Sequence, residues 1–260
     1  MEIWTFLIGL LGFCARLAHV SSDLDLEGLE QVSASFEHAH PLDILRWAGD
    51  TFGDDLLVTA SFGDAVLAHL VNEAIPDAEI VLLDTGYLFA ETVWFAERLR
   101  RDLRINLRVV HPLGDVEPDQ WQHDPDGCCA ARKVEPLERA LAGRRAWITG
   151  LRRADSPTRA DAPIVHLDPF RGVTKINPLA TWSDADVADY SEVERIPAHP
   201  LSDRGYGSVG CWPCTRPVAP GEDPRSGRWS GTTKTECGLH VGGGERREAS
   251  TSGLRGRGTP

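Results

Sequence analysis

Positive charge is scarce in this chain: 27 Lys and Arg stand against 39 Asp and Glu, a formal charge of −12. That balance excludes a protein that coats duplex nucleic acid with its whole surface, because phosphate contacts need a net supply of cations. Cysteine is scarce too, six in 260 residues, far below the density of a disulfide scaffold. No apolar run reaches the roughly 20 residues of a membrane-crossing helix. The nearest, Ile3 to Phe13, is about half that length and sits between Glu2 and Arg16, without the basic start of a secretory leader. Residues 1–20 are therefore expected to be a short apolar N-terminal extension, or to reflect a start placed upstream of the true one. A soluble protein of the reducing cytoplasm is expected, with no membrane and no nucleic acid among its partners.

Between Asp50 and Pro178 short β-rich runs alternate with longer helical patterns, the signature of a parallel sheet covered by helices. The expected strands are Leu56–Ala60, Glu79–Leu83, Ile105–Val110, Ala146–Thr149 and Ile164–Leu167, all reading as buried centre strands. Helical patterns run over Ala65–Glu73, Phe89–Leu103 and Arg132–Leu141. One or two amphipathic helices are expected over Ser22–Trp47, and another over Ser183–Glu194 with Ser183 as N-cap. After Pro197 the composition turns to Gly, Pro, Arg and Ser. Net charge follows: from Arg204 onward there are nine Lys and Arg against five Asp and Glu, a basic end suited to an anion. Residues 241–260 hold too little apolar surface to offset ordering entropy and are expected to be a flexible, disordered tail.

Two turns fall at the same edge of this expected sheet. Ser61-Phe62-Gly63-Asp64 follows the first strand where a helix begins, so free backbone N–H groups there favour an anion. Leu83-Asp84-Thr85-Gly86 closes the second strand. Taken alone, each is equally an ordinary helix cap or connection. There is no G-x-x-x-x-G-K-[ST] and no G-x-G-x-x-G after the first strand, which excludes a Walker-type loop and a dinucleotide fingerprint there.

Five of the six cysteines carry a pattern. Cys128-Cys129 and Cys211-x-x-Cys214 supply two pairs of thiols, the complement of an iron–sulfur cluster or a tetrahedral zinc. Adjacent cysteines suit the separate iron corners of a cubane better than a zinc ribbon; a vicinal disulfide or unrelated buried thiols are the bland alternatives. Lys133 falls on the same helix face as Cys129. Cys237 is a lone thiol between Lys234 and His240 in a polar, Gly-rich stretch, a setting of a reactive and exposed cysteine. Arg225, Arg228 and Trp229 upstream can offer guanidinium forks and an aromatic face to a nucleotide.

Together with Arg132-Lys133, Gly150-Leu151-Arg152-Arg153, Arg225-Ser226-Gly227-Arg228-Trp229 and Glu236-Cys237-Gly238-Leu239-His240, these motifs resemble the assimilatory adenylylsulfate (APS) reductases of iron–sulfur type, relatives of the phosphoadenylylsulfate (PAPS) reductases. The resemblance runs from about Ser33 to His240. It implies an adenine-nucleotide α-hydrolase-like fold: one doubly wound, mostly parallel α/β sheet of about five or six strands. A sulfonucleotide-binding domain would cover residues 21–200, and a cluster-binding and catalytic segment 201–240. It implies one 4Fe–4S cluster per chain on Cys128, Cys129, Cys211 and Cys214, and Cys237 as the nucleophile that expels AMP and becomes an S-sulfocysteine. Thioredoxin, or a glutaredoxin-like dithiol, would then release sulfite for sulfate assimilation and cysteine biosynthesis. Substrate-binding residues implied are Ser61, Phe62, Gly63, Asp64, Leu83, Asp84, Thr85, Lys133, Arg153, Arg159, Arg225, Arg228, Trp229 and His240. A homo-oligomer is compatible with all of this. The chain departs from the pattern in its apolar start and at Ser191–Arg195, where an aromatic or Gly-containing turn is expected.

Two other enzymes fit part of the pattern. One is a PAPS reductase; the other is an ATP-dependent, cluster-bearing thiolation enzyme, which would need a lysine that Ser61–Ala65 lacks. A zinc-stabilised nucleic-acid module is the non-catalytic alternative, opposed by the −12 charge.

Overall fold

A computed structural model describes residues 25–230, 234 and 236–240. The expectations for residues 1–20 and for the tail 241–260 lie outside the described residues.

A sheet of six strands organises the molecule, in the order β3-β2-β1-β4-β6-β5. The strands are β1 (Leu56–Thr59), β2 (Glu79–Leu83), β3 (Asn106–Val110), β4 (Ala146–Thr149), β5 (Val165–Asp168) and β6 (Val173–Ile176). All neighbours are parallel except β5, which runs antiparallel to β6 at one edge. The chain winds outward from β1 through β2 to β3, then crosses back to place β4 on the other side of β1. This reversal opens a crevice at the carboxyl ends of β1 and β4, where open α/β sheets receive ligands.

Alternation along each strand sorts the core into two layers. Leu56, Val58, Ile80, Leu82 and Ile148 pack into the larger cluster. That cluster lies against α1 (Leu26–Ser35), α2 (Pro41–Phe52), α3 (Val66–Ala74) and α4 (Ala90–Asp102). Leu57, Val81, Val110 and Trp147 point the other way, onto Leu137, Ala140 and Leu141, with Leu239 of the C-terminal segment joining them.

Helix starts follow local chemistry. Asp25 accepts from Gly28 N at 2.8 Å to cap α1, and Pro41 opens α2, where a missing N–H costs nothing. Ser183 and Asp186 form a reciprocal capping box on α7 (Asp184–Val193).

Three expectations need correction. First, β3 and β5 are edge strands and partly exposed rather than buried centre strands, because β5 turns back antiparallel and, among the described residues, nothing pairs beyond β3. Second, β6 falls outside the five expected strands; a four-residue run holding a lysine and closed by Asn177-Pro178 carries little pattern. Third, the helix expected from Arg132 begins seven residues earlier: α5 (Pro125–Cys129), a wide π-helical stretch (Ala130–Val134) and α6 (Glu135–Leu141) form one continuous run. Asp124 caps it, accepting from Gly127 N at 2.9 Å. Cys128 and Cys129 are thus on a helix, immediately before a π segment, a feature frequent at functional sites. In the turn after α7, Arg195 takes φ 53°, the left-handed conformation for which a glycine is the usual residue. Among the described residues no helix is long and apolar enough to cross a membrane.

Candidate active site

The crevice between β1 and β4 is a cavity of about 570 Å³, a size suited to a nucleotide. Thr59 to Asp64 form one wall, Thr149 to Arg152 the opposite one, and Ser208 to Gly210 a third. In the first wall Phe62 is buried at φ 52°, and the Asp64 carboxylate accepts from Val66 N at 2.9 Å, turning the chain directly into α3. Burial pushes the Asp64 pKa up, against the Val66 N–H and Arg152, which pull it down. In the opposite wall Arg152 Nη2 holds Asp155 at 2.9 Å and Asp184 at 2.8 Å, while its buried Nη1 has no protein partner. A buried donor left unsatisfied is costly, so this N–H is a ready contact for a ligand.

Most residues expected at the nucleotide line this cavity: Ser61, Phe62, Gly63, Asp64 and Leu83 at the strand ends, Lys133 from the π-helical stretch, then Arg159, Arg225, Arg228, Trp229 and His240. Three do not. Arg153 turns to the protein surface layer, with Nη1 and Nη2 each 2.7 Å from Glu37. Asp84 caps the turn at Gly86 N, 2.9 Å away. Thr85 is fully buried and lies 3.3 Å from Cys211 Sγ, so it belongs to the cysteines and not to the cavity. Gly150, Arg152 and Asp155 line the cavity without being among the expected residues; of the Arg152-Arg153 doublet, it is Arg152 that faces it.

Behind one wall lies a second, smaller recess into which Cys128, Cys129, Cys211 and Cys214 all open. Helix α5 supplies the first pair, and a short 3-10 turn (Trp212–Cys214) the second. That turn is pinned to the sheet edge by Trp212 N donating to Tyr87 O at 2.8 Å. All of the described cysteines are free thiols, which removes the vicinal disulfide. Among the described residues no three His, Cys, Asp or Glu side chains converge tightly enough to hold one metal ion. Lys133, Arg228 and Trp229 line both the recess and the cavity, forming the partition between them. Arg228 reaches this place because Gly210 has no side chain: a Cβ there would stand 2.3 Å from Arg228 Nη2.

Cys237 enters the cavity from the C-terminal segment. It is buried, 9% exposed, where an exposed thiol was expected. The residues around it explain the difference. Glu236 is gripped by Arg159, Leu239 inserts into the second core layer, and the His240 ring stacks on Trp147 with centroids 5.8 Å apart and planes at 9°. Gly238 between them takes φ 80°, open to glycine at no steric cost.

The family model of the phosphoadenosine phosphosulfate reductase domain matches residues 55–217, which hold both sheet walls and both cysteine pairs. The chain belongs to the phosphoadenosine phosphosulfate reductase family. Among its relatives, the adenosine 5′-phosphosulfate reductase of Streptomyces coelicolor is 49% identical over 218 residues, covering 81% of this chain and 92% of that protein. The enzyme of the same name from Halalkalibacterium halodurans is 41% identical over 224 residues, covering 82% of this chain and 96% of that protein. A crystal structure of the PAPS reductase of Candida auris in a phosphate complex superposes with a TM-score of 0.65 at 26% identity, covering 73% of this chain and 97% of that one.

In this member of the family Cys128, Cys129 and Cys214 are shifted in one direction and Cys237 in the other. Burial raises the pKa of Cys128 and Cys214 and pushes that of Cys129 up to about 12. Burial also acts to raise the Cys237 pKa, but the Lys133 ammonium, the Leu239 N–H and Arg228 outweigh it, and the net pKa falls below the ordinary thiol value. One thiol beside the cavity is thus shifted in the direction that favours the thiolate, the form that attacks. His240 is the reverse: burial first, then Lys175, Arg159, Arg171 and Arg225, drive its pKa far down and keep the ring neutral.

Proposed function

We propose that this chain reduces adenosine 5′-phosphosulfate to sulfite and AMP, through an S-sulfocysteine on Cys237 that is released by thioredoxin or a similar dithiol. The observation that carries the reading is the placement of Cys237, with its lowered pKa, on the wall of a nucleotide-sized cavity lined by Lys133, Arg225 and Arg228. The adenosine 5′-phosphosulfate reductases from Streptomyces and Halalkalibacterium, matched over most of their length, support the substrate.

The chemistry balances with the groups present. The Cys237 thiolate attacks the sulfur of the bound phosphosulfate; a sulfur–sulfur bond forms, the bond to the bridging phosphate oxygen breaks, and AMP leaves with the electron pair. Lys133, Arg225 and Arg228 offset the negative charge that would otherwise repel the thiolate, and hold the sulfur in line with it. A dithiol then attacks the Cys237 sulfur, takes up the oxidation as its own disulfide, and sulfite departs. On this reading Ser61, Gly63 and the N–H groups at the start of α3 take the nucleotide's anionic and ribose side.

The recess fits an iron–sulfur cluster. Its donors are four thiols with no competing protein ligand type, and the cations Arg132, Lys133 and Arg228 line the same space. A single zinc would gather its sulfurs to roughly 3.8 Å from one another, whereas a cubane takes one thiolate at each of four corners and needs no such convergence. Cys128, Cys129, Cys211 and Cys214 would hold it. When bound, the cluster supplies a fixed anionic charge that anchors the partition residues, with the electrons for the substrate coming from the dithiol.

The test is sulfite release by anaerobically purified protein with reduced thioredoxin, comparing APS with PAPS. Strong preference for APS is expected. Preference for PAPS would overturn the substrate, and no sulfite from either would overturn the reaction.

A further inference from the structure

Glu236 poses a problem for the chemistry above. It places a carboxylate next to the nucleophile and beside a cavity for an anionic substrate, and its charge raises the Cys237 pKa rather than lowering it. It therefore contributes nothing to activating the thiol or attracting the sulfonucleotide. Its contacts, however, are well formed. Arg159 Nε donates to Oε1 at 2.8 Å and Arg159 Nη2 to Oε2 at 2.7 Å, a two-pronged fork that fixes both position and orientation. Arg225 Nη2 stands 3.5 Å from Oε1, and Ser156 Oγ also 3.5 Å away. Both partners are nearly buried, 10% exposed for the Arg159 side chain and 8% for that of Glu236.

The arginine is itself held from behind. Arg159 Nη1 donates to Asp155 at 2.9 Å, and Asp155 also holds Arg152 at 2.9 Å. Glu236, the residue preceding the nucleophile, is thus tied to the cavity wall that follows β4 through Arg159 and Asp155.

We propose that Glu236 is a positioning residue for the first chemical step: its fork with Arg159, shared with Arg225, sets the Cys237 sulfur at the cavity wall for attack on the sulfonucleotide. Release of sulfite by the dithiol does not need this contact, because the sulfur attacked in that step must be reachable from outside the cavity. The inference rests on the reaction proposed above. It also divides the cations of the site: Arg159 and part of Arg225 serve the segment that carries the thiol, leaving Lys133 and Arg228 to the phosphosulfate.

The experiment separates the two steps. Holoprotein is mixed with 35S-labelled APS in the absence of reductant, and the rate of label appearing on Cys237 is followed. The labelled protein, accumulated by long incubation, is then mixed with reduced thioredoxin and sulfite release is timed. Glu236→Gln is expected to slow labelling on the order of 10²-fold, the effect of a misplacement of about 1 Å at a reacting centre. The half-saturating APS concentration should change less than threefold, AMP binding should persist, and sulfite release should proceed at the wild-type rate. Glu236→Asp keeps the charge on a shorter stem and should recover part of the labelling rate; it carries the test if the Gln variant does not fold. Labelling at the wild-type rate in Glu236→Gln, or in Glu236→Asp where the Gln variant does not fold, overturns the inference, and so does equal slowing of both steps or loss of AMP binding, which would mark a merely structural role. If wild-type protein acquires no label on Cys237, the reaction itself is wrong, a result distinguishable from failure of the Glu236 assignment.

Discussion

Arg153 gives its guanidinium to Glu37 through two bonds of 2.7 Å, and a third bond of 2.8 Å from Nε runs to Ala162 O. Its neighbour Arg152 lines the cavity with a buried N–H unpartnered. Adjacent residues of one chain thus serve the turn after α1 and the cavity respectively. Arg153→Gln should leave the KM for APS within about twofold and cost about 1 kcal/mol of stability, as a partly exposed ion pair does. Arg152→Gln should raise KM about tenfold, a loss of about 1.4 kcal/mol. Steady-state kinetics and thermal denaturation of both variants check the pair; equal effects on KM would return Arg153 to the site.

The four recess thiols and Cys237 should separate cleanly in mutants. Serine at any of Cys128, Cys129, Cys211 or Cys214 is expected to abolish iron content, visible absorbance and activity together. Cys237→Ser should keep iron and colour and lose only the S-sulfocysteine and turnover. Metal analysis and absorbance spectra decide this, and full activity in a Cys128→Ser protein without iron would count against a cluster.

Gly210→Ala tests the partition. The added methyl would meet Arg228 Nη2 at 2.3 Å and Cζ at 2.5 Å, so the guanidinium must leave the wall it shares between recess and cavity. Its present hold is modest, bonds of 3.3 Å to Ser208 Oγ and 3.4 Å to Val209 O and a stack on Trp229. A fall of about tenfold in kcat/KM is expected, near 1.4 kcal/mol, with the melting temperature nearly unchanged. Unchanged kinetics would mean that Arg228 acts from its displaced position as well.

His166 on β5 stands opposite Lys175 of β6, and burial together with that ammonium pushes its pKa down to about 4. Its buried Nδ1 has no protein partner. The unfolded chain, with His near its ordinary pKa of about 6.5, therefore binds more protons between pH of about 6.5 and about 4. The stability that neutral His166 contributes is complete above that window and is lost as pH falls through it. Denaturant midpoints measured from pH 7 to 4 should fall less steeply for His166→Asn than for the wild type; parallel curves would show that His166 titrates normally.

Much of this was legible beforehand because it depends on near neighbours in the chain. Strand β2 falls at Glu79–Leu83 and β4 at Ala146–Thr149 as their apolar runs imply, and Ser183 caps α7 through a bond to Asp186, three residues on. The expectation places Arg153 and Thr85 at the nucleotide, whereas neither lines the cavity, because a motif names a stretch of chain without saying which of its side chains turns inward. That choice depends on Glu37 and Cys211, which lie 116 and 126 positions away.

By itself, then, the sequence determined the parallel α/β class and the Ser61–Asp64 turn after the first strand, and set the five patterned cysteines apart as two pairs and a lone thiol, since each is a matter of periodicity, capping or residue type within a few positions. Only the tertiary structure decided how they meet. It brought α5 and the Cys211–Cys214 turn to one recess, set Lys133, Arg228 and Trp229 between that recess and the cavity, and drew Cys237 inside through Glu236 and Arg159. Those contacts join segments remote in the chain, and a thiol's burial and charge are properties of such neighbours, not of its own place in the sequence.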